Sequence, residues 1–246
     1  RQRQMCIRDR VGHRPAENTL SVTVSESLLP VLPEVLARIK NLFDLYCEPK
    51  AVYETLQVMN TLQPGLCVLG TRLPGCFNVF EMSVRAVLGQ QITVKAASTL
   101  AARLVAVYGT QVQTGIEGLT HSFPAPAAIL ALGENISEHL GKLGIISARA
   151  NTIYQLARVL ADEKNDFGFC GNPEEEMQKL QAIRGIGSWT AQYIAMRAMG
   201  WPDAFLPTDA GIKKALPDHT PKELQVLSEA WRPWRSYATV NLWNTL

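Results

Sequence analysis

One acidic residue, Asp209, stands where the sequence predicts the start of a helix. Pro207 ends the preceding segment and Thr208 is a common N-cap residue, so Asp209 falls in the first helical turn. The positive end of the helix dipole favours a charged carboxylate there. Such a charge can stabilise an oxocarbenium-like sugar while a base leaves it. The alternative is that Asp209 only complements the helix dipole, as many exposed aspartates do.

A pair of glycines lies upstream of this aspartate, in the segment Ile183–Ala191. Gly185 and Gly187 allow positive φ angles or the close approach of another backbone, and Ser188 can cap the helix that follows. Free N–H groups at the start of that helix form a site for a phosphate oxygen, a contact that positions a duplex without reading its sequence. We predict that Gly185, Ile186, Gly187 and Ser188 bind a nucleic-acid backbone; an ordinary corner between two helices is the alternative.

Aromatic residues follow the two glycines at helical spacing. Trp189 and Tyr193 are separated by four positions, so they share a helix face near the predicted phosphate contact. Their rings can stack on a base that has left the duplex, and a positively charged base gains roughly 0.5–2 kcal/mol from the cation–π interaction. Trp231 and Trp234, three positions apart, are further candidates for the wall of this pocket. Core packing is the alternative for each of these rings.

Several ordered motifs resemble one known group of proteins. The chain is similar to the helix-hairpin-helix superfamily of DNA glycosylases, and most closely to the DNA-3-methyladenine glycosylase II family of bacterial alkylation-repair enzymes. The resemblance runs from about Arg38 to the C-terminus. It is carried by the two-glycine hairpin and by four further segments, Leu73–Phe77, Arg85–Gln91, Leu206–Asp209 and Trp231–Ala238.

The resemblance implies an activity and roles for individual residues. It implies that Asp209 is the catalytic aspartate, that the hairpin grips the DNA backbone, and that damaged double-stranded DNA is the partner. The expected reaction in base-excision repair is hydrolysis of the N-glycosidic bond of flipped alkylated bases, of the 3-methyladenine and 7-methylguanine type. The resemblance also favours a base-pocket role for Trp189, Tyr193 and Trp234. For the remaining tryptophans, Trp201, Trp231 and Trp243, we predict core packing.

A polar turn at Gln90, Gln91 and Ile92 separates two predicted helices. In the family that the chain resembles, this turn enters the minor groove and fills the gap left by the flipped base. Some members carry leucine at the wedge position, where this chain has Gln91, so its neighbours stay candidates for the wedge. The alternative is a polar turn between helices with no role in binding.

The residue after the hairpin distinguishes bifunctional from monofunctional glycosylases. In related bifunctional glycosylases such as endonuclease III, a lysine at the corresponding place attacks the sugar and forms a Schiff base. This chain has Trp189 there, which predicts a monofunctional enzyme that uses water. Lys213 and Lys214 fit contacts with phosphate or solvent better. Two other functions remain open: a non-catalytic helix-hairpin-helix DNA-binding module, and a bifunctional glycosylase/lyase for other damaged bases.

Composition limits the alternatives without identifying a function. The 246 residues are 47% hydrophobic, enough to bury a core in one unit or two lobes, and a net charge of +2 is too small to indicate nucleic-acid binding. Five cysteines without a C-x-x-C pair argue against a disulfide framework and an iron–sulfur cluster, and four scattered histidines argue against a zinc site. We expect no metal in the active site and no cofactor, apart from room for a monovalent cation at the hairpin–phosphate contact.

No apolar run is long enough to cross a membrane, and no signal peptide is visible. We expect a monomer in the bacterial cytoplasm, associated with the nucleoid and not with a membrane.

Nearly everything after Pro30 shows helical periodicity, so the expected fold class is all-α. The resemblance implies the helix-hairpin-helix glycosylase fold of two helical lobes. We place this domain at residues 29–246, with the hairpin at 180–200, and expect it to be truncated because Leu246 falls inside a helix that begins near Trp234. The predicted helices are 31–46, 49–61, 77–88, 93–108, 147–162 and 174–183.

The first residues fit this helical domain poorly. Thr19–Ser25 alternates like a strand, and a single strand is not stable alone, so residues 18–28 are predicted to be a remnant of an N-terminal antiparallel α+β domain. Residues 1–17 are predicted to be a disordered or non-biological leader. The basis is an arginine-rich start without apolar period, in which Gln4–Arg10 resembles translated adaptor sequence.

Overall fold

A computed structural model describes residues 10–114, 116–161 and 172–246, and helices dominate these ranges. The helices are α1 (Leu32–Leu42), α2 (Pro49–Leu56), α3 (Val79–Leu88), α4 (Val94–Tyr108), α5 (Pro126–Leu130), α6 (Ile136–Gly141), α7 (Ser147–Leu160), α8 (Pro173–Gln181), α9 (Ser188–Arg197), α10 (Ala210–Ala215), α11 (Pro221–Leu227) and α12 (Arg235–Trp243). The strands are β1 (Arg10–Arg14), β2 (Thr19–Thr23), β3 (Thr110–Gln111) and β4 (His121–Ser122). The expected all-α class with a small β element is confirmed.

Side-chain caps explain where the two helices around the polar turn begin. Asn78 precedes α3 and its side chain accepts the N–H of Glu81 at 2.8 Å. Thr93 precedes α4 and its hydroxyl accepts the N–H of Ala96 at 3.2 Å. Each cap satisfies a backbone N–H that has no partner inside the helix, so the turn between α3 and α4 has defined ends.

The helical body shares one continuous hydrophobic core. Helix α7 packs against α3, α5 and α6, while α9 packs against α3 and α8. Apolar side chains at helical spacing fill the space between them, among them Val84 and Leu88 from α3, Ile153 from α7 and Ile194 from α9, all fully buried. This packing holds the start of α9 beside the end of α3, where the predicted functional segments lie.

The N-terminal residues form a paired hairpin, which corrects the prediction of a leader. Strands β1 and β2 pair antiparallel, so Thr19–Thr23 is not a lone strand. Their apolar residues Val11 and Val22 pack on a small second core with Leu28, Val35 and Ile39. The expectation of disorder is therefore wrong for residues 10–17. Strand β1 was not predicted because Val11 is its single apolar residue, and one residue shows no alternation. Residues 1–9, which carry most of the proposed adaptor sequence, lie outside the described ranges.

Most of the predicted helix boundaries hold, although α2 ends at Leu56 rather than at residue 61. Helices α3, α4 and α7 begin and end within about two residues of their predicted positions. Helix α1 stops at Leu42 rather than at residue 46, because Asp44 takes a left-handed conformation with φ 53°. The short helices α5, α6 and α11 were not predicted, since five to seven residues carry too little periodicity.

Candidate active site

Asp209 is the N-cap of α10, one position later than the sequence predicted for the cap. Its backbone is extended, and its Oδ1 accepts the N–H groups of Gly211 at 2.9 Å and Ile212 at 3.1 Å. Thr208, the predicted cap, is exposed and lies outside the helix. The carboxylate thus sits directly on the positive end of α10, half-buried and still open to solvent on one side.

Two indole rings also bind this carboxylate. Trp189 donates its Nε1–H to Oδ2 of Asp209 at 3.0 Å, and Trp243 donates its Nε1–H to Oδ1 at 2.8 Å. With the two backbone groups, four N–H donors converge on one carboxylate. An ionised carboxylate only accepts hydrogen bonds, so these donors match its charged form and hold it in one orientation.

The aromatic rings form a continuous wall beside Asp209. Trp189 and Tyr193 stack with centroids 5.1 Å apart and planes 11° apart, which confirms that they share a face of α9. Tyr193 contacts Trp243 in a tilted arrangement with centroids 6.3 Å apart. The Arg197 guanidinium lies 5.9 Å from the Tyr193 centroid, one turn further along α9. Tyr193 therefore supports the two indoles, and these carry the N–H groups that reach the carboxylate.

The structure puts Trp243, not Trp234, beside Asp209, and this corrects the sequence assignment of both rings. Trp234 precedes α12 and Trp243 ends it, which separates them by about 13 Å at 1.5 Å per residue. The Trp234 ring packs edge-on against Tyr237 with centroids 5.6 Å apart. Burial raises the pKa of the Tyr237 phenol, so this neighbour stays neutral. Trp231 is buried as predicted, and Trp201 is partly buried against the same core.

Gly185 is required by both conformation and space at the hairpin. Its φ is +95°, and a Cβ would lie 2.1 Å from Oγ1 of the buried residue Thr152. That hydroxyl donates to the Arg184 carbonyl at 2.9 Å, so α7 supports the hairpin from below. Ile186 is buried and anchors the hairpin in the core. The positive φ and the close contact at this glycine agree with the sequence prediction, while Thr152 gave no signal of its own.

Gly187 and Ser188 form the exposed end of the hairpin. Gly187 is the N-cap of α9, and a Cβ there would meet nothing within 4 Å. Ser188 is the first helical residue and makes no cap, contrary to the prediction. Both residues are exposed, and the first N–H groups of an α-helix have no partner within it. This surface can accept a phosphate oxygen, and it adjoins Trp189 in the same helical turn.

The polar turn after α3 divides its residues between two roles. The Gln90 side-chain amide donates to the Gly185 carbonyl and to the Thr190 hydroxyl, both at 2.9 Å. Arg149 donates to the Gln90 carbonyl. Gln90 is therefore tied to the hairpin, which corrects its assignment as a wedge candidate. Gln91 lies at the exposed tip with φ +55°, and Ile92 beside it is half-buried.

A buried ion pair that sequence analysis missed holds the chain leading to Asp209. Arg235, the first residue of α12, donates to both carboxylate oxygens of Asp203 at 2.7 and 2.9 Å. The residues are 6% and 7% exposed, so this pair belongs to the interior. Ser236 adds a hydrogen bond to the Trp201 carbonyl at 2.7 Å. The other end of α12 carries Trp243. This helix therefore positions both the segment that leads to Asp209 and one of the N–H donors that bind its carboxylate.

Neither a membrane-spanning helix nor a metal-binding cluster occurs in residues 10–114, 116–161 and 172–246. No helix there combines the length and the apolar character needed to cross a membrane. Likewise, no group of three or more His, Cys, Asp or Glu side chains in those ranges lies close enough together to hold a metal ion.

A helical fold with this hairpin and a capped aspartate beside indole rings defines the helix-hairpin-helix class of base-excision repair proteins. Residues 84–235 match the HhH-GPD superfamily of base excision DNA repair proteins, and residues 8–78 match the AlkA N-terminal domain. The chain belongs to the HhH-GPD superfamily. The predicted start of the helical domain, residue 29, falls inside the range matched by the N-terminal domain.

Individual relatives agree with this family. The chain is 38% identical to DNA-3-methyladenine glycosylase 2 of Escherichia coli over 230 residues, which cover 94% of this chain and 78% of the relative. It is 40% identical to a probable bifunctional transcriptional activator/DNA repair enzyme of Mycobacterium tuberculosis over 216 residues, 85% of this chain and 42% of the relative.

Solved structures support the fold. A 3-methyladenine DNA-glycosylase from Archaeoglobus fulgidus superimposes with a TM-score of 0.71 at 21% identity, over 96% of this chain and 85% of that one. A Schizosaccharomyces pombe 3-methyladenine DNA glycosylase in complex with abasic DNA gives a TM-score of 0.55 at 22% identity, over 68% of this chain and 80% of that one.

Proposed function

We propose that this protein is a monofunctional DNA glycosylase that removes alkylated purines from double-stranded DNA in base-excision repair. The observation that carries the proposal is Asp209, held by four N–H donors beside an aromatic wall, one helix past an exposed hairpin. The similarity to E. coli DNA-3-methyladenine glycosylase 2 supports alkylated purines as the substrate class.

Substrate positioning uses two exposed segments on one side of the molecule. The first N–H groups of α9, at Gly187 and Ser188, bind a phosphate oxygen of one strand. Gln91, at the tip of the turn after α3, enters the duplex and occupies the space of the flipped base. Because Gln90 ties this turn to the hairpin, the two contacts keep a constant separation.

The chemical step requires negative charge close to the sugar. When the glycosidic bond breaks, its electron pair leaves with the base and positive charge develops on the sugar. Asp209 stabilises that charge, and water then attacks the sugar carbon and loses a proton to the solvent. Oδ1 already accepts three hydrogen bonds and Oδ2 accepts one, so Oδ2 keeps more capacity to face the sugar and the water.

A positively charged alkylated purine simplifies this reaction. Such a base leaves as a neutral molecule, so it needs no proton from a general acid. Its charge also gains from contact with electron-rich rings, and Trp189 and Trp243 are the rings nearest to Asp209. Selection by charge separates these lesions from normal bases, which are neutral.

The residue at the lyase position favours a monofunctional mechanism. Trp189 stands where the lyase mechanism needs a lysine, and both Lys213 and Lys214 are exposed. We expect water to be the nucleophile, with no organic cofactor and no catalytic metal, apart from a monovalent cation between hairpin and phosphate. The enzyme acts as a monomer on nucleoid DNA in the bacterial cytoplasm.

The test is release of free base from a methylated duplex. The protein should liberate 3-methyladenine and 7-methylguanine without nicking the strand, and borohydride should trap no covalent DNA adduct. A protein that binds the duplex and releases no base is a binding module, which contradicts the proposal. A borohydride-trapped adduct identifies the bifunctional mechanism instead.

A further inference from the structure

Gly211 is the point where the backbone of α10 and the indole of Trp243 come closest. A Cβ at this position would lie 2.8 Å from Cδ1 and 2.9 Å from Nε1 of Trp243. It would also lie 3.0 Å from Oδ1 of Asp209. The two distances to the indole are shorter than a Cβ tolerates, so no side chain fits here while Trp243 keeps its place.

The backbone does not require glycine at this position. Gly211 is the second residue of a helix, and its φ lies outside the left-handed region that favours glycine. Glycine is also less favourable than alanine in a helix because it loses more conformational freedom on folding. The requirement at Gly211 is therefore for space, and the groups that occupy the space are Trp243 and Asp209.

We propose that Gly211 is a positioning residue for base excision: by lacking a side chain, it lets Trp243 lie over the first turn of α10 and bind Asp209. This role rests on the proposed glycosylase function. Gly211 contributes its N–H to Oδ1 at 2.9 Å and leaves room for the indole N–H at 2.8 Å. Together these donors occupy Oδ1, so that Oδ2 is the oxygen available to the sugar.

A methyl group at position 211 has a specific structural consequence. The indole lies at the far end of a side chain, so it can move more easily than the backbone of α10. Its N–H then leaves Oδ1, and its ring changes position relative to Tyr193, whose centroid is 6.3 Å away. The helix and its capped aspartate remain, because the contacts with Gly211 and Ile212 are made by backbone groups.

The experiment compares Gly211→Ala with Gly141→Ala in the full chain. Gly141 is also helical, and a Cβ there would meet nothing within 4 Å, so it is a matched control. Single-turnover release of 7-methylguanine should fall about 10- to 100-fold in Gly211→Ala, the effect of one hydrogen bond to a charged group. Its Tm should fall by no more than about 5 °C, because the better helix propensity of alanine offsets part of the lost hydrogen bond, and Gly141→Ala should retain the wild-type rate.

A double-mutant cycle tests whether the effect passes through the indole. Trp243→Phe removes the N–H donor, so adding Gly211→Ala to it should cost much less than it costs in the wild type. If Gly211→Ala lowers the rate by the same factor with Trp243 and with Phe at that position, the proposed role is contradicted. A rate in Gly211→Ala equal to that of the wild type contradicts it as well.

A spectroscopic measurement reports the contact without relying on activity. Among the five indole N–H signals in a ¹H–¹⁵N spectrum, that of Trp243 is the one lost in Trp243→Phe. Gly211→Ala should shift this signal and speed its exchange with water, and an unmoved signal overturns the proposal. Wild-type protein that releases no base contradicts the glycosylase function and this role together, whereas active wild type with an equally active variant contradicts only the role of Gly211.

Discussion

The side chain of Gln90 is bonded to the backbone of Gly185, 95 residues further along the chain, at 2.9 Å. This contact joins the turn after α3 to the hairpin before α9. The same amide group reaches Thr190 inside α9, so the turn and the hairpin behave as one rigid surface. A surface of this kind can hold a phosphate and insert a side chain at a constant distance.

The two glutamines of the turn should therefore respond differently to mutation. Gln90→Ala leaves the Gly185 carbonyl and the buried Thr190 hydroxyl without this partner, which should lower the free energy of unfolding by about 1–3 kcal/mol. Gln91→Ala removes an exposed side chain and should change stability by less than about 0.5 kcal/mol while it slows base excision. Urea unfolding and single-turnover kinetics measure both. Equal stability losses in the two variants would contradict the division of roles.

Substitutions of the two hairpin glycines should also have different effects. Gly185→Ala places a Cβ against Thr152 at a positive φ, so it should destabilise the protein by at least about 2 kcal/mol. Gly187→Ala has free space in the protein and should lower the free energy of unfolding by no more than about 1 kcal/mol, because alanine is a poorer N-cap than glycine. Its added methyl group faces the predicted phosphate, so binding to DNA should weaken equally for all sequences. Fluorescence anisotropy with several duplexes checks this, and a loss confined to one sequence or lesion argues that the hairpin reads bases.

Trp243 should distinguish charged from neutral lesions, whereas Trp234 should not. Trp243→Ala is expected to slow release of cationic 7-methylguanine more than release of neutral hypoxanthine, by about 1 kcal/mol or several-fold. Uncatalysed release rates of both bases are subtracted first, because the cationic base is intrinsically labile. Trp234→Ala serves as the control, since its ring packs on Tyr237. Equal losses on both lesions in Trp243→Ala would show that this ring positions the site without reading charge.

The ion pair below the site should matter for stability. Arg235→Met leaves the buried Asp203 carboxylate with Arg232 as its remaining cationic partner, so the lost hydrogen bonds should cost about 1.5–3 kcal/mol. The double variant Arg235→Met/Asp203→Leu should recover part of that loss, because it removes the buried carboxylate that has lost the Arg235 partner. Thermal unfolding compares them, and a double variant less stable than Arg235→Met contradicts this account.

Local patterns predicted the parts of this molecule that depend on nearby residues. Helical periodicity found α3, α4 and α7, and the two glycines located a hairpin whose Gly185 does take a positive φ. The long-range contacts had no such signal. Trp234 and Trp243 are both tryptophans near the C-terminus, and only the packing of α12 decides which one reaches Asp209.

The role of Gln90 could not be predicted either, because it depends on a long-range contact. A glutamine in a polar turn looks ready for solvent or DNA, and nothing nearby in the sequence shows that its amide is used 95 residues away. The short strand β1 escaped prediction because five residues with flanking arginines carry almost no alternation.

In the proposed mechanism, the negative charge of Asp209 drives base release. Asp209→Asn keeps a residue that caps helices well, so α10 and the hairpin should remain intact and DNA binding should stay close to wild type. It removes the negative charge and presents an amide group to the converging N–H donors. Single-turnover release of 7-methylguanine from a methylated duplex, corrected for spontaneous loss, should fall by at least about 100-fold. Release at a near-normal rate by Asp209→Asn that still binds DNA would contradict the account.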